Sequence, residues 1–205
     1  MEMLLRAAPA TFAILAITVV VSFVALKNAP KLLPRMVLHP WALPRTHRYE
    51  TLITHGFVHG SPAHLLFNMV TLYSFGPPLE MRLGTPTFLA LYFLGMLASA
   101  LGTILTHRKD PQYSALGASG AILAVLFAFI IYEPTSVLLL FFVIPMPATV
   151  FAVAFLAYTI WAGKYWRRGT AHEGHFGGAI LGMLFVTVVD PGQWSDVWLK
   201  VSEFF

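Results

Sequence analysis

Long runs of this chain contain no Lys, Arg, Asp or Glu, among them Ala7 to Leu26, Thr51 to Leu79, and Pro134 to Gly163. A helix that crosses a bilayer needs about 20 consecutive, mainly apolar residues, and the first run, twenty residues long, meets that length. Its apolar part exceeds the roughly 7–15 residues of a signal-peptide core, and it lacks an Ala-x-Ala-like cleavage site, so it reads as a retained transmembrane helix. Composition agrees: 11% of the residues are charged and mean hydropathy is +0.73, whereas soluble domains carry about 25% charged residues. Such a surface cannot face water throughout, and the chain reads as a polytopic membrane protein. Five Trp and seven Tyr are available for interfacial belts. The absence of cysteine excludes disulfides, thiolate metal ligands and a cysteine nucleophile. A net charge of +4 fits contact with lipid headgroups better than nucleic-acid binding, for which no motif is present.

Measured against the length of a span, the chain divides into six. The first occupies about 8–27 and is followed by a polar-aromatic loop, 28–50, whose prolines at 30, 34, 40 and 44 forbid one continuous helix. Short interfacial segments fit around Val37–Leu43. The second span, about 61–76, starts at Ser61-Pro62, a helix-start pair, and stops at Gly76-Pro77-Pro78. The third covers about 86–106 and the fourth about 117–132, joined by the loop His107 to Tyr113. The run Pro134 to Gly163 is too long for one span and too short for two; Pro145 and Pro147 divide it, leaving about 148–163 as the fifth span and Val137–Ile144 as an apolar loop or half-buried segment. The sixth span, about 173–189, ends at Asp190-Pro191-Gly192. In the tail, 190–205, Trp194, Val197, Trp198, Val201 and Phe205 recur at helical spacing, the pattern of an interfacial amphipathic helix. The expectation is an all-α membrane protein, a six-helix bundle forming one domain over 1–205.

Polar groups inside spans are expensive and usually functional. Here they gather at three helix mouths that helix parity places on one side: His55, His59, His64 and Asn68 on the second span, Ser119 on the fourth, His172 and His175 on the sixth. Ser119 lies between Gly117 and Gly120, and His175 precedes Gly178 and Gly182. Small neighbours let two helices approach closely enough for a hydroxyl to meet an imidazole. Each residue also has an ordinary reading. A serine can bond back to a carbonyl one turn earlier, the glycines can serve packing alone, and His64 and Asn68, one turn apart, can glue helices or donate to an oxyanion. A metal or haem site is the weaker reading. A zincin needs His-Glu-x-x-His, but His172-Glu173-Gly174-His175 is one residue short, position 176 is Phe, and Glu80 lies at the far end of its helix. No metal ligands and no cofactor are assigned.

Taken together, four segments resemble the rhomboid intramembrane proteases: His55-x-x-x-His59-x-x-x-x-His64-x-x-x-Asn68, then Glu80-x-Arg82-x-Gly84, then Gly117-Ala118-Ser119-Gly120, and His175-x-x-Gly178-x-x-x-Gly182. The resemblance covers about residues 8–190 and looks like the basic six-span form without an added soluble domain. It implies a Ser–His dyad with Ser119 as nucleophile and His175 as general base, and an oxyanion hole built from His64, Asn68 and the Ser119 backbone N–H. His59 would hold water near the site, and Glu80 and Arg82 would brace the loop below the second span. His172, one turn nearer the surface, would be solvated. Substrates would be single-span membrane proteins, cut by an enzyme in the plasma or inner membrane with an extracytoplasmic active site. A non-catalytic rhomboid-like binding protein is the alternative from another class.

Three departures stand out. Leu123 replaces the aromatic ring that often stacks under the base, and Trp41 and Arg45 are not adjacent, as the family's Trp-Arg pair often is. Family topology also puts only Arg6, Arg82 and Lys200 of the thirteen Lys and Arg on the cytoplasmic side. The others, including Lys27, Lys31, Arg35, Lys164, Arg167 and Arg168, fall outside, against the positive-inside rule.

Overall fold

Apolar helices without an internal hydrophilic face need neighbours or lipid on every side, and the computed structural model, which describes residues 2–140, 143–165 and 171–204, gathers them around one central helix. In chain order it contains α1 (Glu2–Ala7), α2 (Pro9–Lys27), α3 (Ala29–Met36), α4 (Leu43–Thr46), α5 (Thr51–Thr54), a 3-10 turn (His55–Phe57), α6 (Pro62–Leu83), α7 (Thr85–His107), α8 (Ser119–Tyr132), the hairpin strands β1 (Val137–Leu140) and β2 (Ile144–Pro147), α9 (Ala148–Tyr165), α10 (His172–Val189) and α11 (Gln193–Phe204). Four helices, α2, α7, α9 and α10, are long and apolar enough to cross a membrane by length and composition. The protein is thus an all-α membrane protein apart from one short hairpin.

At the centre stands α8, whose residues from Gly120 to Ala128 and from Ile130 to Tyr132 are all buried. Its 14 residues span about 21 Å at 1.5 Å per residue, so a helix apolar on all faces is wrapped by protein instead of lipid. Packing of α10 against α8 and α7 rests on missing side chains. A Cβ on Gly178 would collide with the Gly120 carbonyl, one on Gly182 with the Ala124 carbonyl, and one on Gly174 would sit 2.7 Å from Ser99 Oγ. Outside this core, α2, α7, α9 and α10 expose Val20, Leu101, Val153 and Val188 among other large apolar residues, the surface a bilayer covers.

Several boundaries differ from the sequence expectation. Helix α6 does not stop at Gly76-Pro77-Pro78 but runs through both prolines to Leu83. Proline inside a helix costs about 3 kcal/mol, and the turn beyond is held by Glu80. This buried carboxylate accepts from Ala10 N–H (2.9 Å), Thr11 N–H (2.7 Å), Thr11 Oγ1 (2.7 Å) and Thr85 Oγ1 (2.8 Å). It satisfies donors that the first turn of α2 leaves open. Glu80 and Arg82 therefore lie within a helix, and Glu80 both caps the start of α2 and holds Thr85 across the turn at Gly84. The segment expected as an apolar loop over Val137–Ile144 pairs as an antiparallel hairpin, Leu138 opposite Met146, with its prolines on a two-stranded edge where no ladder N–H is needed from them; residues 141 and 142 lie outside the described residues. The loop 28–50 contains two helices, α3 with Pro34 inside it and α4.

The tail is helical and packs on the end of α8. Gln193 Nε2 donates to Ile131 O (3.4 Å) and Lys200 Nζ to Tyr132 O (3.0 Å), at the C-terminus of α8. Arg82 donates to Gln193 Oε1 (3.1 Å) and stacks 4.0 Å from the Tyr132 ring centroid. Trp198 is 74% exposed, while Phe205 of the expected stripe lies outside the described residues.

Candidate active site

Ser119 is the first residue of α8, and His175 lies in the first turn of α10. The Gly120–Gly178 contact brings those two helix starts together, and Ser119 Oγ lies 2.7 Å from His175 Nε2. For the hydroxyl to donate, Nε2 must carry the lone pair and Nδ1 the proton. His64, Asn68, Ser119 and His175 line one cavity of about 1020 Å³. Part of its wall is apolar, with Leu123, Phe151 and Phe155 among its residues.

The strap leading into α8 is pinned at three residues. Ala115 pairs with Leu38 through two 2.9 Å backbone bonds, Gly117 N–H donates to His55 O (2.9 Å), and Ala118 N–H donates to His59 Nε2 (3.4 Å). Gly117 has φ +110°, and a Cβ there would lie 2.6 Å from His64 Cε1, so conformation and space both demand glycine. Ser119 N–H, the first of the helix, has no acceptor among the described hydrogen bonds. Asn68 donates one amide hydrogen to His64 O (3.1 Å), leaving its other one for the cavity it lines.

His59 has partners in the protein at both ring nitrogens. It is fully buried; Ser22 Oγ is 2.9 Å from the Phe57 carbonyl and 2.8 Å from His59 Nδ1. A carbonyl can only accept, so the serine proton goes to Phe57, His59 Nδ1–H donates to Ser22, and Nε2 receives Ala118 N–H. Burial first, and His64 beside it second, push the His59 pKa down to about 3, consistent with that neutral tautomer. His55 is likewise buried; its Nδ1 donates to Thr51 O (2.8 Å), and burial lowers its pKa.

The structure also corrects His172. It is 3% exposed, not solvated, because Tyr158 of α9 covers it edge-to-face with ring centroids 5.6 Å apart. Sequence reasoning missed three contacts. Phe155 of α9, not a residue four after Ser119, brings an aromatic ring 6.5 Å from that of His175. Arg45 and Trp41, although not adjacent in sequence, meet through one helical turn, with the guanidinium 4.1 Å from the ring centroid. His107 Nε2 lies 3.4 Å from Glu173 Oε2, and its ring stacks 3.5 Å from Tyr113. Burial, and Glu173 after it, push the Tyr113 hydroxyl up to about 12. The spacing of Gly95, Ser99 and Gly102 on α7 was a readable signal of close packing; the His107–Glu173 pair had none. Among the described residues no group of three or more His, Cys, Asp or Glu is placed to hold a metal ion. Arg167 and Arg168 lie outside the described residues.

Residues 46–191 match the Rhomboid domain family. The chain is similar to RHOMBOID-like protein 12, mitochondrial, of Arabidopsis thaliana, 28% identical over 164 residues, which cover 73% of this chain and 49% of that protein. It is also similar to Rhomboid protein 1, mitochondrial, of Saccharomyces cerevisiae, 37% identical over 142 residues, 66% of this chain and 40% of the relative. Over 158 residues it is 34% identical to the human Presenilin-associated rhomboid-like protein, mitochondrial, covering 68% of this chain and 38% of the other. The chain spans less than half the length of each of these relatives.

Proposed function

Because the chain belongs to the rhomboid family, a membership that supports an intramembrane protease type of function, we propose that it is a serine endopeptidase working by a Ser119–His175 dyad. The observation that carries this reading is the 2.7 Å contact between Ser119 Oγ and His175 Nε2 at the wall of a 1020 Å³ cavity. Ser119 Oγ attacks the scissile carbonyl carbon while His175 Nε2 takes its proton. The negative charge that develops on the carbonyl oxygen is received by Ser119 N–H, the free amide hydrogen of Asn68 and the His64 ring. His175 then gives its proton to the leaving amine, and water, deprotonated by the same nitrogen, releases the acyl group from Ser119.

The substrates of this reading are single-span membrane proteins, since the cavity opens in a molecule whose outer surface is apolar. An intact helix hides its carbonyls in hydrogen bonds, so cleavage requires a segment that unwinds. In this reading α6 and α8 complete six crossings with α2, α7, α9 and α10, as one domain over 1–205 in a plasma or inner membrane, and the cavity opens on the extracytoplasmic side.

A fluorophosphonate probe applied in detergent tests the dyad. Labelling should map to Ser119 and vanish in both Ser119→Ala and His175→Ala. The same variants should abolish cleavage of a transmembrane reporter. Residual turnover of Ser119→Ala within tenfold of the parent would remove the nucleophile assignment.

A further inference from the structure

The loop joining α2 to α6 carries basic residues with no part in the proposed chemistry. Asn28, Lys31, Leu32, Pro34 and Arg35 line a second recess, of about 620 Å³. Lys31 and Arg35 stand one helical turn apart on α3, both exposed, while Leu32, Leu33 and Met36 pack inward against Ala25, Val37 and Val58. The helix is fixed in this attitude from its C-terminal side. Arg48 donates to the carbonyls of Pro34 (3.2 Å) and Arg35, and Thr54 Oγ1 donates to Met36 O (3.0 Å). Glu50, the nearby carboxylate, pairs with Arg48 at 3.1 Å. Lys31 and Arg35 take part in no ion pair among the described residues.

In the last two turns of α2, whose C-cap Asn28 lines the recess, an apolar strip is exposed: Val20 is 61% exposed, Phe23 56% and Val24 44%. Lys27 closes that helix with its ammonium 4.4 Å from the Phe23 ring centroid, the posture of a lysine reaching from an apolar surface toward a polar one. Apolar surface, a bridging lysine and an unpaired cationic recess thus follow one another within sixteen residues, from Val20 to Arg35. That order matches a phospholipid read from tail to headgroup.

We propose that this recess binds the headgroup of an anionic phospholipid, with Lys31 and Arg35 on its phosphate, Lys27 at the interface and the acyl chains along Val20, Phe23 and Val24. Electrostatics holds the headgroup and the apolar strip selects a lipid over a free anion. The site is separate from the dyad and does not depend on catalysis.

The test uses the purified full chain in detergent, titrated with phosphatidylglycerol or phosphatidylcholine, with bound lipid counted by native mass spectrometry. Phosphatidylglycerol should be retained in preference to phosphatidylcholine and released as NaCl is raised. Each basic residue near a lipid surface contributes about fivefold in affinity, so Lys31→Gln with Arg35→Gln should weaken retention on the order of 25-fold. The charge-keeping pair Lys31→Arg with Arg35→Lys should hold it and report that the loop still folds. Equal retention by the glutamine pair, or equal retention of phosphatidylcholine by the parent, overturns the proposal. Displacement of the lipid by equimolar inorganic phosphate overturns it too, since the recess would then be a free-anion site.

Discussion

Ser22 lies inside a span yet does not bond back to its own helix, the usual habit of such a serine. It bridges Phe57 O and His59, and through His59 it reaches Ala118, the residue before Ser119. That chain works only while His59 is neutral. The folded pKa, about 3, lies below the ordinary 6.5, so the unfolded chain binds the extra proton first. The stability contributed is complete above pH 6.5 and is lost as pH falls toward 3. Thermal unfolding in detergent should show this slope, and His59→Asn, less stable at neutral pH, should show less of it. If His64 and Asn68 are the oxyanion donors proposed above, removing one typically costs roughly 10²–10³ in kcat. His64→Ala and Asn68→Ala should each fall in that range with Ser119 still labelled slowly by the probe. If neither lowers kcat threefold, they are structural glue. At this scale Ser119 and His175 were legible because the glycines beside them announce close helix approach. The burial of His172 was not, since its cover, Tyr158, comes from another helix.

Among the elements, α6 is the one whose sequence misleads. Gly76-Pro77-Pro78 is a stop signal by every local rule, and the helix continues because Glu80 is anchored to a different helix. Local preference loses to a tertiary bond, and nothing near residue 78 reveals it. Replacing Glu80 by Ala leaves Ala10 and Thr11 N–H buried without acceptors, at about 1–3 kcal/mol each. Glu80→Ala should therefore lower the unfolding midpoint markedly, and Glu80→Gln, which keeps acceptor capacity, by less. Equal and small effects for both would deny the capping role. The hairpin Val137–Pro147 was hidden for a related reason: paired prolines argue against a strand except on an edge, and only the partner strand defines an edge. By contrast α8 was legible except at its start, where the expected Gly117 lies outside the helix at φ +110° and the helix begins at Ser119.

For the molecule as a whole, the order of the helices was readable from charge-free runs and the gathering of polar residues at one end from helix parity. Orientation is testable because the chain has no cysteine. Lys109→Cys and Asp196→Cys are exposed positions placed by helix parity at opposite ends of the bundle. With the cavity extracytoplasmic, an impermeant thiol reagent on intact cells should modify the first and spare the second. The reverse pattern would give the charge distribution precedence over family topology. The tail was legible as an amphipathic helix but not as a partner of α8, because its contacts, Gln193 to Ile131 and Lys200 to Tyr132, join residues 62 and 68 positions apart. Those contacts make α8 an axle with a bearing at each end, His59 at the front and the tail at the back. An axle free at the back can slide, and a shift of one residue is about 1.5 Å, enough to take Ser119 Oγ out of hydrogen-bonding range of His175. Loss of the last twelve helical residues, Gln193–Phe204, at the end of the bundle away from the chemistry, should thus behave as an alignment fault. The chain would still hold its cavity, and serine-directed labelling would fall before the fold does.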